Sequence, residues 1–439
     1  MRKWLSFSTG SHAQEFEQKL YRMVNEFRYA VVLTDKYPFY NGHAQQYREF
    51  DLLAGFDALE VVNDNFSHLD RVVSDSNDWF LGYFSFDFKN QLEPFLTTSK
   101  KDKTGFRPFS FFRPRYLIRK NGETWHIGYD SRRDTKDTSQ VFIDKIKNLF
   151  SEETDLPDIE FQSRVSRSGY LDTVRKLKDH IKRGDIYEVN YCMEFYSEGI
   201  DLQPSSLFKE LTVVSPMPFS VLLRDNSSFL IGASPERYLR KRGARVISQP
   251  MKGTARRTFD GTDDIRAMKM LSESEKERAE NIMITDLVRN DLSRSAARGT
   301  VSVDDLCSIF PFPGVYQMIS TVSSQMHNDA HWIDPLRYSF PMGSMTGAPK
   351  IRALQLIDRY EKSARGLYSG TVGYITPELD FDFNVVIRSF LYNRANQYLS
   401  YSVGSAITDS CIPAEEYNEC LLKAEALKTI FNKKKLQYG

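Results

Sequence analysis

The sequence predicts an α+β protein, on three observations. Strand-like runs come in blocks, one between Phe219 and Gln249 and a second between Gly370 and Thr408. Long helical patterns lie between and after these blocks instead of following each strand, which argues against repeated βαβ units. The chain is also long: 439 residues, 41% hydrophobic and 27% charged, suit one large domain with an appendage, or two to three domains. That composition is ordinary for a globular protein and speaks against extensive disorder.

Taken in order, the chain opens with a helical segment from Phe16 to Phe27 and strands at Tyr29 to Leu33 and Trp79 to Phe84. The aromatic-rich run Gly82 to Phe88 alternates weakly, as a half-buried strand would. Strands at Tyr116 to Arg119 and Thr124 to Tyr129 precede a helix near Val141 to Phe150. The acidic, proline-containing stretch Ser151 to Asp158 reads as a linker between residues 1–155, an amino-terminal region integrated with the main fold, and residues 160–435. An amphipathic helix follows over Ser168 to Lys182, with Tyr170, Val174, Leu177 and Ile181 on one face. Gly184-Asp185 ends it, and Ile186 to Phe195 reads as a strand. Within the first strand block, Phe219 to Leu223, Phe229 to Ala233 and Arg245 to Ser248 are the strands.

Charge and cysteine usage exclude several function classes. Lys and Arg total 59 against 58 Asp and Glu, a net charge of +1, so nothing global attracts nucleic acid or an anionic membrane. Anion binding must be local. The four cysteines have no CxxC pair and no metal-finger spacing, and read as reduced packing thiols. No apolar run approaches the roughly 20 residues that span a bilayer. The expectation is a cytoplasmic, soluble protein with neither nucleic acid nor membrane as partner.

Four constellations carry possible chemistry. In Ser248 to Arg257, Pro250 removes a ladder donor and Gly253 permits a turn, placing Lys252 at the lip of a cleft. There it can serve as a point charge, as a desolvated nucleophile, or merely as a solvated hairpin lysine. Glu236, in the turn Ser234-Pro235-Glu236-Arg237, supplies either a general acid beside that amine or half of a surface salt bridge. Two Glu-x-x-Glu steps, Glu277 with Glu280 and Glu416 with Glu419, fall on helices begun by a Ser272/Glu275 capping box and by Pro413. Face to face they form the oxygen-rich site that Mg²⁺ favours; apart, they are two solvated helix faces. The loop Pro341 to Lys350, feeding a helix over Ile351 to Tyr360, offers backbone N–H groups to an anion, although it lacks the Walker A ending. Arg388, read within a strand from Asn384 to Leu391, and Tyr374 on the strand before it suit carboxylate recognition or a structural ion pair.

Over roughly residues 165 to 432 these residues, in this order, resemble the chorismate-utilising enzymes. The matching blocks are Ser234-Pro235-Glu236-Arg237, Pro250-Met251-Lys252-Gly253-Thr254, Arg278 to Asn281 with Asp286 to Asp291, Gly347-Ala348-Pro349-Lys350, and Glu416-Tyr417-x-Glu419. Residues 10 to 150 resemble, more loosely, the amino-terminal region of component I of anthranilate and aminodeoxychorismate synthases. The resemblance implies a chorismate-binding fold, with large antiparallel sheets forming a β-sandwich core and helices packed outside.

Lysine at position 252 is similar to the aminodeoxychorismate synthase branch; anthranilate synthases carry alanine there. The isochorismate and salicylate branches place a water-activating lysine where this chain has Glu188. The resemblance therefore implies amination of chorismate at C4 to 4-amino-4-deoxychorismate, on the way to p-aminobenzoate and folate, with ammonia from a glutamine amidotransferase partner. It implies Lys252 as nucleophile, Glu236 as acid, and Mg²⁺ held by Glu280 and Glu419 with Glu277 and Glu416 around it. The ring carboxylate would meet the loop through Gly343, Ser344, Thr346 and Lys350, with Gly404 and Thr254 beside it. Arg388 and Tyr374 would hold the enolpyruvyl carboxylate. The chain departs from the family pattern at Glu188, where glutamine is usual, at Gln317, where histidine is common, and at Val403-Gly404-Ser405-Ala406, where a glycine run is usual. An anthranilate synthase component I carrying lysine, or a non-catalytic relative, is the alternative.

Overall fold

β-Branched and aromatic residues dominate the strands of this chain, and their alternation decides which of two cores each side chain enters. The computed structural model describes residues 2–37, 49–96, 100, 102–150, 154–258 and 260–431. Among them, twenty strands are hydrogen-bonded into one antiparallel network. In Tyr29–Thr34, Val31 enters one core while Ala30 and Val32 enter the other. Leu53 and Leu117 repeat the pattern against Leu52 and Ala54, and against Tyr116 and Ile118. Each such fully buried aliphatic side chain contributes about 1.5–3 kcal/mol.

The network folds into two layers. Phe109–Asn121 joins them, pairing with Leu52–Val62, with Thr124–Asp130 and with Phe80–Phe84. From there one layer runs through Tyr29–Thr34, Phe219–Asp225, Ser228–Ser234, Ser389–Asn393, Tyr398–Ile407 and Glu188–Glu198. The other runs through Phe80–Phe84, Thr371–Ile375, Phe381–Asn384, Arg237–Arg242, Arg245–Gln249 and Val315–Gln325. Val31, Leu223 and Leu230 of the first layer share an inner core with Leu81, Leu239 and Val372 of the second. Helices cover the outer face of the first layer through Leu20, Val174, Leu177, Leu207, Phe208 and Leu427. This is the sandwich with outer helices that the resemblance implied. Residues on either side of the supposed linker pair directly, Tyr29–Thr34 with Phe219–Asp225, so the two halves share one sheet. No helix among the described residues is long and apolar enough to cross a membrane.

Several elements differ from the sequence reading. The run Gly82 to Phe88 is not one strand: it ends at Phe84 and turns through the short 3-10 helix Phe86–Phe88. Phe84, Phe86 and Phe88 are all buried, so aromatic content reported burial here, not strand length. Phe109–Asn121 begins seven residues before Tyr116, because its first half is buried without alternation. Arg237–Arg242 was hidden by its charges, which are neutralised across the sheet: Arg237 by Asp382 and Lys241 by Asp380. The capping residue of Glu275–Ser293 is Ser274, whose hydroxyl accepts from the Glu277 N–H; Ser272 instead sits in the last turn of the preceding helix, Gly261–Glu273.

Glycine 347 sets how closely the loop before helix Lys350–Tyr360 approaches the first layer. The two-residue strand Gly347–Ala348 pairs with Glu188 and Val189, and a Cβ on Gly347 would lie 2.2 Å from the Glu188 carbonyl oxygen at a φ of +143°. No side chain fits there. Gly347→Ala is expected to lower unfolding stability by about 3 kcal/mol in denaturant titration, from backbone displacement and strain. Gly261→Ala, which meets open space at ordinary φ, is the control and should change it little.

Candidate active site

A lysine can be held inside a protein only where carboxylates face it, and position 252 is built that way. Met251–Arg256 pairs with Val315–Gln325 but shifts register between Met251 and Thr254, so Lys252 and Gly253 bulge from the ladder. Gly253 takes a φ of +100°, and its missing side chain makes room for Glu277, whose Oε2 would stand 3.1 Å from a Cβ there. Asn281 fixes the bulge from beneath: its Nδ2 donates to the carbonyls of Lys252 (3.0 Å) and Met318 (3.1 Å), and its Oδ1 accepts from Ser320.

Lys252 Nζ donates to Glu188 Oε1 at 3.0 Å and lies 3.9 Å from Glu280 Oε2; its side chain is 17% exposed. Burial acts against its ammonium form, but Glu188, Glu280 and the more distant Glu419 outweigh it, leaving the amine above its ordinary value. Two elements thus meet at one nitrogen, the strand Glu188–Glu198 and the helix Glu275–Ser293, and Glu419 of the helix Pro413–Lys428 acts on it electrostatically.

Glu236 is 4% exposed, in the turn between Ser228–Ser234 and Arg237–Arg242. Its Oε1 accepts from Ser344 Oγ at 2.7 Å. Burial pushes its carboxyl up to about 7, against the opposing pull of Ser344, the Met251 backbone and Lys252. A buried acid thus keeps its proton near neutrality, within the electrostatic reach of Lys252.

The four glutamates lie as two pairs on two helices, Glu275–Ser293 and Pro413–Lys428. Glu280 is raised by burial, with Glu188 and Glu277 adding to the effect against Lys252. Glu416 is raised by burial and then by Glu419. Burial also works on Glu419, but Lys423 outweighs it and lowers the group. Lys276, on the first helix, acts on both glutamates of the second. The pairs are not drawn into one ligand shell: among the described residues no group of three or more His, Cys, Asp or Glu is placed to hold a metal ion. Like charges this close repel, and lysines separate them here, Lys252 at Glu280 and Lys423 at Glu419 Oε1 (2.5 Å). As chemistry the set fits Mg²⁺: hard carboxylate oxygens, with Glu280 and Glu416 held up by burial and by neighbouring carboxylates, the strain that a hard cation relieves.

The loop before helix Lys350–Tyr360 is spent differently from the sequence reading. Ser344 holds Glu236. Thr346 is buried and its hydroxyl donates to the carbonyl of Met342, while Lys350 Nζ donates to Asp291 (2.6 Å) and the Ser339 carbonyl (2.8 Å). Thr346 and Lys350 therefore brace the loop instead of presenting donors to an anion. Gly343 lets the loop pack on Leu287, which a Cβ would meet at 2.7 Å. Thr254 donates to Gln317 at 3.0 Å. Gly404 abuts Cys192 and Asn190, and its carbonyl accepts from Lys423 at 3.0 Å.

Arg388 is not inside a strand: Phe381–Asn384 and Ser389–Asn393 are separate, and Arg388 stands before the second at a φ of +51°. Its guanidinium contacts Met217 Sδ and has no carboxylate partner among the described residues, and burial lowers it to about 10. That is the profile of an anion receptor. Tyr374 does not join it. Its hydroxyl donates to Glu49 at 3.1 Å, its ring packs on Phe50 and Trp79, and it lines a separate cavity of about 130 Å³ with Arg237, Asp382 and Glu49.

Sequence reasoning gave no role to three functional side chains. Lys423 was legible as the i+4 partner of Glu419. Asn281 lay within a matched block. Arg365, which bridges Met345, Asn190 and Glu361 in the interior, gave no local signal.

Stability should report the Glu236 carboxyl. Its folded value, about 7, exceeds the ordinary 4.5, so burial costs nothing below pH about 4.5 and increasingly more up to about 7. Wild type is therefore expected to lose stability relative to Glu236→Gln as pH rises from 5 to 7, then to level off, in urea titrations across that range.

Residues 17–429 match the family described as chorismate binding enzyme. Among similar proteins is the aminodeoxychorismate synthase of Streptomyces griseus, 39% identical over 266 residues, 60% of this chain and 36% of that protein. Another is anthranilate synthase component 1 of Thermus thermophilus, 36% identical over 267 residues, 61% of this chain and 57% of that protein. The chain thus spans less than two thirds of the length of either relative. The crystal structure of anthranilate synthase component I from Streptococcus pneumoniae superposes with a TM-score of 0.75 at 20% identity, covering 97% of this chain and 92% of that one, a likeness of fold.

Proposed function

Because this chain belongs to the chorismate binding enzyme family, we propose that it aminates chorismate at C4, forming 4-amino-4-deoxychorismate with ammonia from a glutamine amidotransferase subunit. One observation carries the reading: Glu236, a buried carboxylic acid pushed up to about 7, lies within the electrostatic reach of the carboxylate-held Lys252. Relatives with either product, aminodeoxychorismate or anthranilate, match the chain, so the choice between them rests on that lysine.

Arg388, a buried cation with no carboxylate partner among the described residues, binds a carboxylate of the substrate. Mg²⁺, when bound, supplies positive charge to the second carboxylate, with Glu280 and Glu419 as its holders and Glu277 and Glu416 around them. Glu236 gives its proton to the 4-hydroxyl, which leaves as water. Lys252, an ammonium at rest, first passes a proton to Glu188 Oε1, to which it already donates at 3.0 Å, and regains it at the end of the cycle; its free Nζ bonds to C2 while the two ring double bonds shift and the C4–O bond breaks. Ammonia then bonds to C4, the double bonds shift back, and the C2–Nζ electron pair returns to lysine. Two displacements replace one difficult one. Ser344 keeps the acid aimed: its hydroxyl donates to Glu236 Oε1.

Incubation with chorismate, Mg²⁺ and an ammonium salt tests this. The expected product keeps its enolpyruvyl group; fluorescent anthranilate released with pyruvate, in the absence of any lyase, would refute it. Lys252→Ala is expected to lower kcat by roughly 10³-fold or more, as loss of a covalent nucleophile does. The acid must be protonated, so kcat/KM should fall as pH rises above about 7, and Glu236→Gln should abolish that limb with a loss of about 10²–10⁴-fold. Glu280→Gln is expected to weaken Mg²⁺ binding about tenfold or more by calorimetry.

A further inference from the structure

An aspartate and a lysine lie paired in the interior behind Glu236, and the chemistry above gives them no part. Asp291 is 6% exposed, and Lys350 Nζ donates to its Oδ2 at 2.6 Å. Such a pair is a poor source of stability, because stripping both charges of water costs about as much as their attraction returns. Its position is what sets it apart. Asp291 and Glu236 line the same small cavity, of about 10 Å³, together with Tyr238, Ser248, Ser339 and Ser344. That size seats a single water molecule, and the polar lining offers the two to four partners that a buried water needs.

The hydroxyls of this lining have their hydrogens engaged elsewhere. Ser344 donates to Glu236, Ser339 to the Pro335 carbonyl and Ser248 to the Tyr238 carbonyl. Ser339 Oγ, committed as a donor, accepts from the Tyr238 hydroxyl at 2.6 Å. Of these six side chains, only a protonated Glu236 keeps a hydrogen for the cavity, and the Asp291 carboxylate can only accept. A water between the two acids therefore gives a hydrogen to Asp291 and takes one from Glu236, an arrangement that exists only while Glu236 is protonated. Resting on the amination reading for the acid's role, we propose that Asp291 is a positioning residue for Glu236: through one water in this cavity it holds the acid's proton in place, and Lys350 keeps Asp291 ionised to do so. Burial works against the Asp291 carboxylate, and Lys350, then Arg294 at the end of the same helix, oppose it. Lys252, from the bulged strand, pulls the Glu236 proton off, while the Arg237 guanidinium is turned to Asp382 and Gln249. Asp291 is the group that keeps the proton on.

The test reads the Glu236 proton in the full chain without relying on turnover. Urea titrations from pH 4 to 8 compare wild type with Glu236→Gln, and Asp291→Asn with the Asp291→Asn/Glu236→Gln double variant. The first pair should diverge until about pH 7, where the folded carboxyl has lost its proton. In the second pair the divergence should end at least about half a pH unit lower, because the anion that held the proton is gone. An end point unmoved within about 0.2 unit overturns the assignment. Should the unpaired Lys350 prevent Asp291→Asn from folding, Asp291→Asn with Lys350→Met removes both charges; it must move the end point the same way, and no movement is equally fatal. A crystal structure of the wild type should show one ordered water within hydrogen-bond distance of both carboxyl groups, and a water touching only one of them, or none, overturns the bridge. If the protein also aminates chorismate, the alkaline fall of kcat/KM should move down with the stability end point. Failure to aminate refutes the reading of the function and leaves the stability result to decide this one by itself.

Discussion

The site depends on a single constraint, the confinement of one cation among carboxylates. Lys252 leaves its strand at a bulge and is received by Glu188 at 3.0 Å and Glu280 at 3.9 Å. Without these partners the ammonium would be unaffordable in the interior, and without the ammonium the carboxylates would repel. Each group makes the others tolerable. That mutual dependence brings a strand of the first layer, a bulged strand of the second and a helix into contact, although they are far apart in sequence.

The frame that enforces this contact is mostly uncharged. Phe109–Asn121 couples the two layers, and the inner core between them fixes where their edges end. At the edge, Gly347 admits the loop against Glu188, and Arg365 ties that loop to the strand by donating to the Met345 and Asn190 carbonyls. Lys350 and Asp291 anchor the loop to helix Glu275–Ser293. Ser344 is thereby left at the one place where it reaches Glu236. Polar residues near the site divide accordingly into those that hold the loop and those that are free for chemistry.

Burial sets the chemistry apart from what the same residues would do in water. Glu236 and Glu280 are both raised above ordinary carboxyl values by burial, whereas Glu419 is lowered because Lys423 outweighs it. Burial lowers Arg388 to about 10. One carboxylic acid that keeps its proton, one amine that is charged at rest and, elsewhere, one guanidinium without a carboxylate partner among the described residues make an asymmetric set of groups. Such asymmetry is what acid–base and nucleophilic roles require.

Residue type and spacing marked Lys252, Glu236 and the two glutamate steps as candidates, because each sits in a short motif whose turn or helix is local, and only the family resemblance chose between their chemical and their solvated readings. The α+β class followed from periodicity over whole segments, which long strands and amphipathic helices display openly. Spacing did not say how the polar groups are paired. Tyr374 points to Glu49 instead of joining Arg388, and Thr346 and Lys350 are consumed by Met342, Asp291 and Ser339. Nor could it show that Arg388 stands between strands or that Glu188 keeps an unpaired oxygen. The physical reason is that a motif is written along the chain, whereas the satisfaction of a buried charge or hydrogen bond is settled across it. Which partners are left over, and hence which groups are free to act on a substrate, is decided only when distant strands close on one another.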